Sequence, residues 1–159
     1  LVRLSQLPEA SRANLLNMDC PEFDETPWVE GPPLAQRRVA IISTAGLHLR
    51  SDRSFALGTG RATVPGDYRV IPGDTQANDL VMSHISTNYD RSGFPKDWKV
   101  VFPLDRLNEL ARQGVIGSVA DFHYSFMGAT DPKLMETSAR TLAGLLKEDD
   151  VTAVVLIPV

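Results

Sequence analysis

Two apolar runs constrain this chain more than anything else in it. They are Arg38-Val39-Ala40-Ile41-Ile42-Ser43 and the closing Val151-Thr152-Ala153-Val154-Val155-Leu156-Ile157-Pro158-Val159. Both are short, continuous and rich in β-branched residues, the pattern of strands buried on both faces of a parallel sheet. Parallel neighbours need crossover connections, which are usually helical, and the sequence supplies two amphipathic candidates. In Pro103–Gly114 the residues Leu104, Leu107, Leu110 and Ala111 share one face, proline suits the first turn and Gly114 is a natural C-cap. Asp131-Pro132 opens a second helix as N-cap and first helical residue, with Leu134, Ala139, Leu142, Leu145 and Leu146 as its buried stripe. Strands alternating with helices imply the α/β class: a layered sandwich with a mostly parallel sheet, flavodoxin- or Rossmann-like. A helix then a strand at the end implies that the last helix of such a sandwich is absent, leaving one sheet face thinly covered.

The flanking segments read differently. Ser5 is placed as the N-cap of a short helix running to about Leu16, and Cys20 to Pro33 as an acidic, proline-rich extended arm anchored by Trp28. The expected organisation is therefore an N-terminal helix and arm over residues 1–36, then a single α/β domain over 37–159 that is truncated at its C-terminus. Gly58, Gly60, Pro65, Gly66, Pro72 and Gly73 punctuate an irregular excursion over 50–79, with a short strand at Tyr68–Ile71. Such long loops are commonly functional or mobile.

Composition excludes several classes of function. A net charge of -4 without a basic run argues against a general nucleic-acid binder. The single cysteine, Cys20, rules out an internal disulfide framework and a Cys-x-x-Cys motif, which fits a reducing cytoplasm. No secretory h-region is present, and no stretch approaches the roughly 20 apolar residues of a membrane span.

Open α/β sheets gather ligands beyond the carboxyl ends of their strands, so the residues after each apolar run carry the chemical interest. His48, His84 and His123 all lie in such loops or strand ends. Histidine exchanges protons near neutral pH and is a candidate for catalysis; the plain alternative is that each packs at a sheet edge and bonds to backbone. A three-histidine zinc site lacks the usual His-x-His or His-Glu-x-x-His spacing. Arg50-Ser51-Asp52-Arg53 and Asp90-Arg91 are either anion clamps or loop-tying ion pairs. Gly58-Thr59-Gly60 lacks the strand and helix that a phosphate loop requires. Asp19, Glu22 and Asp24 around Cys20 suppress its thiolate. Tyr124, with Phe122, Phe126 and Met127, is either core or a stacking surface.

Several of these segments together resemble a known family. They are Val39-Ala-Ile-Ile-Ser-Thr-Ala-Gly-Leu-His48, Gly66-Asp-Tyr-Arg-Val-Ile-Pro-Gly-Asp74, Ser83-His-Ile-Ser-Thr-Asn-Tyr-Asp-Arg91, Val101-Phe-Pro-Leu-Asp-Arg106, Gly114-Val-Ile-Gly-Ser-Val119 and His123-Tyr-Ser-Phe-Met-Gly128. The chain from about residue 37 onward resembles the selenoprotein B family of glycine, sarcosine, betaine and D-proline reductases. The resemblance implies a reductase whose selenocysteine, or in some members cysteine, stands directly after the position of Val159. That nucleophile displaces an amine from the carbon next to a carboxylate and leaves a selenoether for later reduction. In some members a separate pyruvoyl subunit forms a Schiff base with the substrate; neither a pyruvoyl precursor nor the nucleophile lies within this sequence. A UGA codon read as stop would end a chain at this place.

On this reading His84, His123 and His48 are the catalytic candidates, and Arg50, Asp90, Arg91 and Tyr124 the substrate-binding ones. No metal is expected, and no cofactor in this chain beyond the selenocysteine of the full-length protein. The expected partners are a small amino or carboxylate substrate, a reductase partner subunit or thiol reductant, and a second copy through an exposed sheet face; nucleic acid and membrane are not expected. The contrasting reading is a non-enzymatic α/β ligand-binding module or partner subunit. Convergence of the three histidines at the carboxyl end of the last strand favours the enzyme, and scatter favours the module.

Overall fold

A computed structural model describes residues 3–17, 22, 28–55, 66–86 and 89–159. Its organising element is β1 (Arg38–Ser43), whose apolar residues are used on both edges and both faces. Along one edge β7 (Ala153–Ile157) pairs with it in parallel, from Val39 opposite Ala153 to Ser43 opposite Ile157. Along the other edge run β5 (Ser118–Val119) and then β6 (Phe122–Phe126), also parallel. β3 (Tyr68–Pro72) adds to β6 antiparallel. A separate ribbon joins β2 (Leu47–Leu49) to β4 (Leu80–Met82). The molecule is thus a mixed α/β structure with a mostly parallel sheet, as the alternating pattern implied.

Alternation along β1 sends its residues to two cores. Val39 and Ile41 pack with Phe102, Leu104, Leu107 and Ile116, on the side of α2 (Leu104–Arg112). Ile42 packs with Tyr124, Phe126 and Leu142, under α3 (Pro132–Glu148). Both helices end as their sequences require. Asp131 accepts from the Lys133 N–H at the start of α3, and Gly114 takes φ 71° just past α2.

Three expectations need correction. Among the described residues β7 is paired along one edge only and is not buried on both faces: Leu156 is 69% exposed and Val154 is also solvent-facing. Ser5 caps no α-helix; it lies in a 3-10 turn, and α1 (Glu9–Leu16) begins after Pro8 with every residue exposed. Trp28 anchors nothing, being 79% exposed. Cys20, Gly58 and Gly60 lie outside the described residues. No helix among the described residues is long and apolar enough to cross a membrane.

One irregularity sets the register of the sheet. Between the pairs Val39–Val119 and Ile42–Tyr124, β1 has two residues where its neighbour has four. This wide bulge removes the carbonyl that would ordinarily receive the Ile41 N–H. Nδ1 of His123, fully buried, accepts that N–H at 3.0 Å, and its ring stands edge-on to Phe102 at 5.6 Å between centroids. An unpaired buried N–H would cost about 1–3 kcal/mol, so the imidazole substitutes for missing backbone. Burial lowers the His123 pKa to about 4. Arg38 secures the adjacent corner, donating to the Val119 and Asp149 carbonyls and ion-pairing with Asp121 and Asp149. Those carboxylates raise its pKa.

The depressed His123 value has a consequence for acid stability. Above the unfolded pKa of about 6.5 the ring is neutral in both states and the full stability is present. As pH falls toward the folded pKa of about 4, only the unfolded chain takes up the proton. Urea unfolding of wild type against His123→Asn, whose side-chain oxygen replaces Nδ1, should show wild type losing about 3 kcal/mol more across that window.

Candidate functional site

The carboxyl ends of β1, β6 and β7 meet, and one residue, through its side chain and its backbone, binds them together. Oγ1 of Thr44, the first residue beyond β1, accepts the Val159 N–H at 2.8 Å. It also lies 3.5 Å from the carbonyls of Ile157 and Val159. Its backbone N–H donates to Ile157 at 3.0 Å, and its carbonyl accepts the Gly128 N–H at 2.8 Å. Gly128 has no space for a side chain: a Cβ there would stand 2.9 Å from the Thr44 Cβ, the Thr44 carbonyl and the Val159 carbonyl. Two buried hydroxyls turn the chain out of the sheet, Ser43 Oγ accepting from the Ala45 N–H and Ser125 Oγ from the Leu47 N–H. Gly46, at φ 67°, then brings the backbone against His84.

Beside this junction is a pocket of about 240 Å³ lined by His84, Ser86, Tyr89, Gly128, Ala129 and Val159. His84 is almost wholly buried, with the Tyr89 ring edge-on at 4.9 Å. Its Nδ1 accepts the Ser86 N–H at 3.2 Å. In the neutral ring the proton therefore sits on Nε2, which has no partner among the described residues. Desolvation lowers the His84 pKa, and the Arg91 charge lowers it further. Protonating Nδ1 would also set two donors against each other. The site thus presents a neutral imidazole with a committed donor. Arg91 closes the same corner, its Nη2 donating to the Ser86 carbonyl at 2.8 Å.

The other sequence candidates lie elsewhere. His48 is buried in β2, with Nδ1 on the Leu49 carbonyl and Nε2 on Ser83 Oγ, each at 2.7 Å; the carbonyl partner makes Nδ1 the protonated nitrogen. It therefore reaches His84 only through the neighbouring Ser83. His123 sits on the α2 side of β6 and Tyr124 on the α3 side, where Tyr124 packs edge-on to Tyr68 and burial raises its pKa. Asp90 is an exposed cap, accepting from the Ser92 N–H, which lowers its pKa. Arg50 lines a different cleft. The three histidines do not converge: only His84 stands at the end of β7. Thr44 and Gly128 were visible in the sequence only as parts of longer motifs, and neither residue type signals by itself a contact made across 115 positions. No group of three or more metal-ligating side chains occurs among the described residues.

These features define an α/β protein with a small, mostly apolar pocket at the carboxyl ends of its strands, the usual location of a ligand site in this class. Comparison with known proteins is more specific. Residues 16–158 match the glycine/sarcosine/betaine reductase selenoprotein B family, and the chain belongs to it. It is similar to the D-proline reductase subunit gamma of Acetoanaerobium sticklandii, with 36% identity over 77% of this chain and 49% of the relative. It is also similar to the sarcosine reductase complex component B subunit beta of Peptoclostridium acidaminophilum, with 32% identity over 86% of this chain and 31% of the relative. The glycine reductase complex component B subunit gamma of Symbiobacterium thermophilum is 30% identical over 86% of this chain and 32% of its own length. The chain therefore spans about a third to a half of the relatives it matches. No solved structure matches it.

The two causes of the low His84 pKa are separable. Arg91→Gln removes the charge but not the burial, so the His84 titration followed by NMR should move upward and still fall short of the ordinary histidine value.

Proposed function

We propose that this chain forms one wall of the active site of a selenol- or thiol-dependent reductase that cleaves the C–N bond of a small amino or carboxylate compound. The observation that carries the reading is the placement of the His84 pocket against Val159, the position after which the family resemblance sets the nucleophile. In the proposed reaction a selenolate or thiolate attacks the carbon bearing the nitrogen, the C–N bond breaks, and the amine leaves with a proton. The resulting seleno- or thioether is later cleaved by a two-electron thiol reductant or partner subunit. The remainder of the longer protein would complete a flavodoxin-like sheet beside β7.

The chain's own residues divide the work. Thr44 and Gly128 fix the end of β7 and hence the starting position of whatever follows Val159. His84 holds a buried, unpaired donor, Nε2–H, for an anion brought into contact with it, either the attacking chalcogenolate or the substrate carboxylate. It cannot accept a proton there while Ser86 occupies Nδ1, so general-base work falls to another group. Arg91 adds positive potential that favours the carboxylate. His123 keeps its backbone-bonding role, and the scatter of the three histidines favours the second reading, a ligand-binding module or partner subunit within a reductase complex whose other parts supply further catalytic groups. The word "subunit" or "component" in the names of all three relatives accords with that.

Substitutions at His84 separate function from structure. Gln places a donor near the Nε2 position, whereas Asn retains only the acceptor used by Ser86. In amine-release assays of the full-length protein with its partner subunits, His84→Leu should lower kcat/KM about 10²–10³-fold, the usual effect of deleting one preorganised donor. His84→Gln should recover part of that loss and His84→Asn should not. Recovery by Asn alone would make His84 a loop-shaping residue and sink the proposed role.

A further inference from the structure

A second cavity, unrelated to the strand-end pocket, has the character of an anion site. It occupies about 580 Å³ between the end of the β2–β4 ribbon and the turn at 94–99, lined by Arg50, Asn78, Leu80, Phe94, Pro95, Lys96, Asp97, Trp98 and Lys99 among others. Small-molecule sites typically fall between about 300 and 1,000 Å³. The two cavities share no lining residue.

Charge is concentrated here against the trend of the molecule. The chain carries a net charge of -4, yet this cleft contributes three cations and one carboxylate. That carboxylate, Asp97, is engaged with the Lys99 N–H at 3.1 Å and lies 3.8 Å from the Lys99 ammonium. Arg50 is held through Nε on the Asn78 carbonyl, and neither of its Nη groups has a partner among the described residues. Lys96 has no ion pair within 4.0 Å among them, although its charge helps to lower the pKa of Asp90. A guanidinium anchored by Nε keeps its remaining fork available for a planar anion at reduced entropic cost. The opposite wall is apolar and firm: Trp98 stacks on Phe102 at 5.9 Å, and Phe94 packs against the same core.

We propose that this cleft is a second binding site, for an organic anion whose carboxylate or phosphate lies between Arg50 and Lys96 and whose apolar body rests on Phe94, Pro95 and Trp98. The site does not depend on the reaction assigned to the His84 pocket.

The test uses Trp98 as the reporter. The protein has two tryptophans, and replacing the exposed one by Trp28→Phe isolates the cleft. Benzoate, phenyl phosphate and inorganic phosphate are titrated at constant ionic strength while Trp98 emission is recorded. Saturable binding is expected for the two aromatic anions, with their relative affinities showing which head group is preferred, and weaker binding for inorganic phosphate. Arg50→Gln and Lys96→Gln should each weaken binding about fivefold, the scale of one partly exposed ion pair, while the distant exposed Arg112→Gln should not. Absence of a saturable change overturns the proposal, as does a response that Arg50→Gln and Lys96→Gln leave intact.

Discussion

The register that sets the end of β6 beside the end of β1 rests on one buried hydrogen bond, from the Ile41 N–H to Nδ1 of His123. It closes the gap where β5 gives way to β6 and so allows two extra residues in the pairing with the Ile41 N–H satisfied, while the ring's own Nε2–H is left buried without a partner among the described residues. With that offset, β6 regains its register at Ile42–Tyr124 and delivers Phe126, Met127 and Gly128 alongside Thr44. Burial disfavours the charged ring and lowers its pKa to about 4, so the ring is neutral near neutral pH. The histidine is thus a piece of the sheet made from a side chain, and the cost of charging it appears only in acid.

The same register makes the Thr44 junction tight enough to be informative. Three strands end within hydrogen-bond distance of one threonine, and a glycine is required because three atoms occupy the space of a Cβ. A pocket wall built from backbone fixed in this way holds its shape. His84 adds a donor whose direction is set by Ser86 and whose neutrality is set by burial and by Arg91. From a buried donor such as Nε2 a hydrogen bond to an anion is stronger than in water, because little solvent competes at that atom.

Much of the architecture was legible in the sequence because it is written in local chemistry. β1, α2, α3 and their caps follow from apolar periodicity, proline, glycine and aspartate at the expected positions. β7 was legible as a strand but not as an edge, since an apolar run does not reveal what lies beside it. For Trp28 the sequence could not show whether an indole finds a surface to bury against. At the site, histidine position in strand-end loops singled out three residues of which one reaches β7. Loop position is local, whereas Nδ1 of His123 and Nε2 of His48 were assigned to partners at Ile41 and Ser83 by tertiary pairing. Thr44 carried no signal of its own because its role exists only when residues 44, 128 and 159 meet.

The proposed function has one central claim: the atom that attacks the substrate would stand at the residue directly after Val159, beside the His84 pocket. The most direct test is to stop turnover of the full-length protein with a small amino substrate before the reductive step and locate the covalent adduct by peptide mass spectrometry. The account predicts the substrate skeleton, without its amine, on the first residue following the β7 peptide. An adduct on any other residue, or turnover with that peptide unmodified throughout, would contradict it.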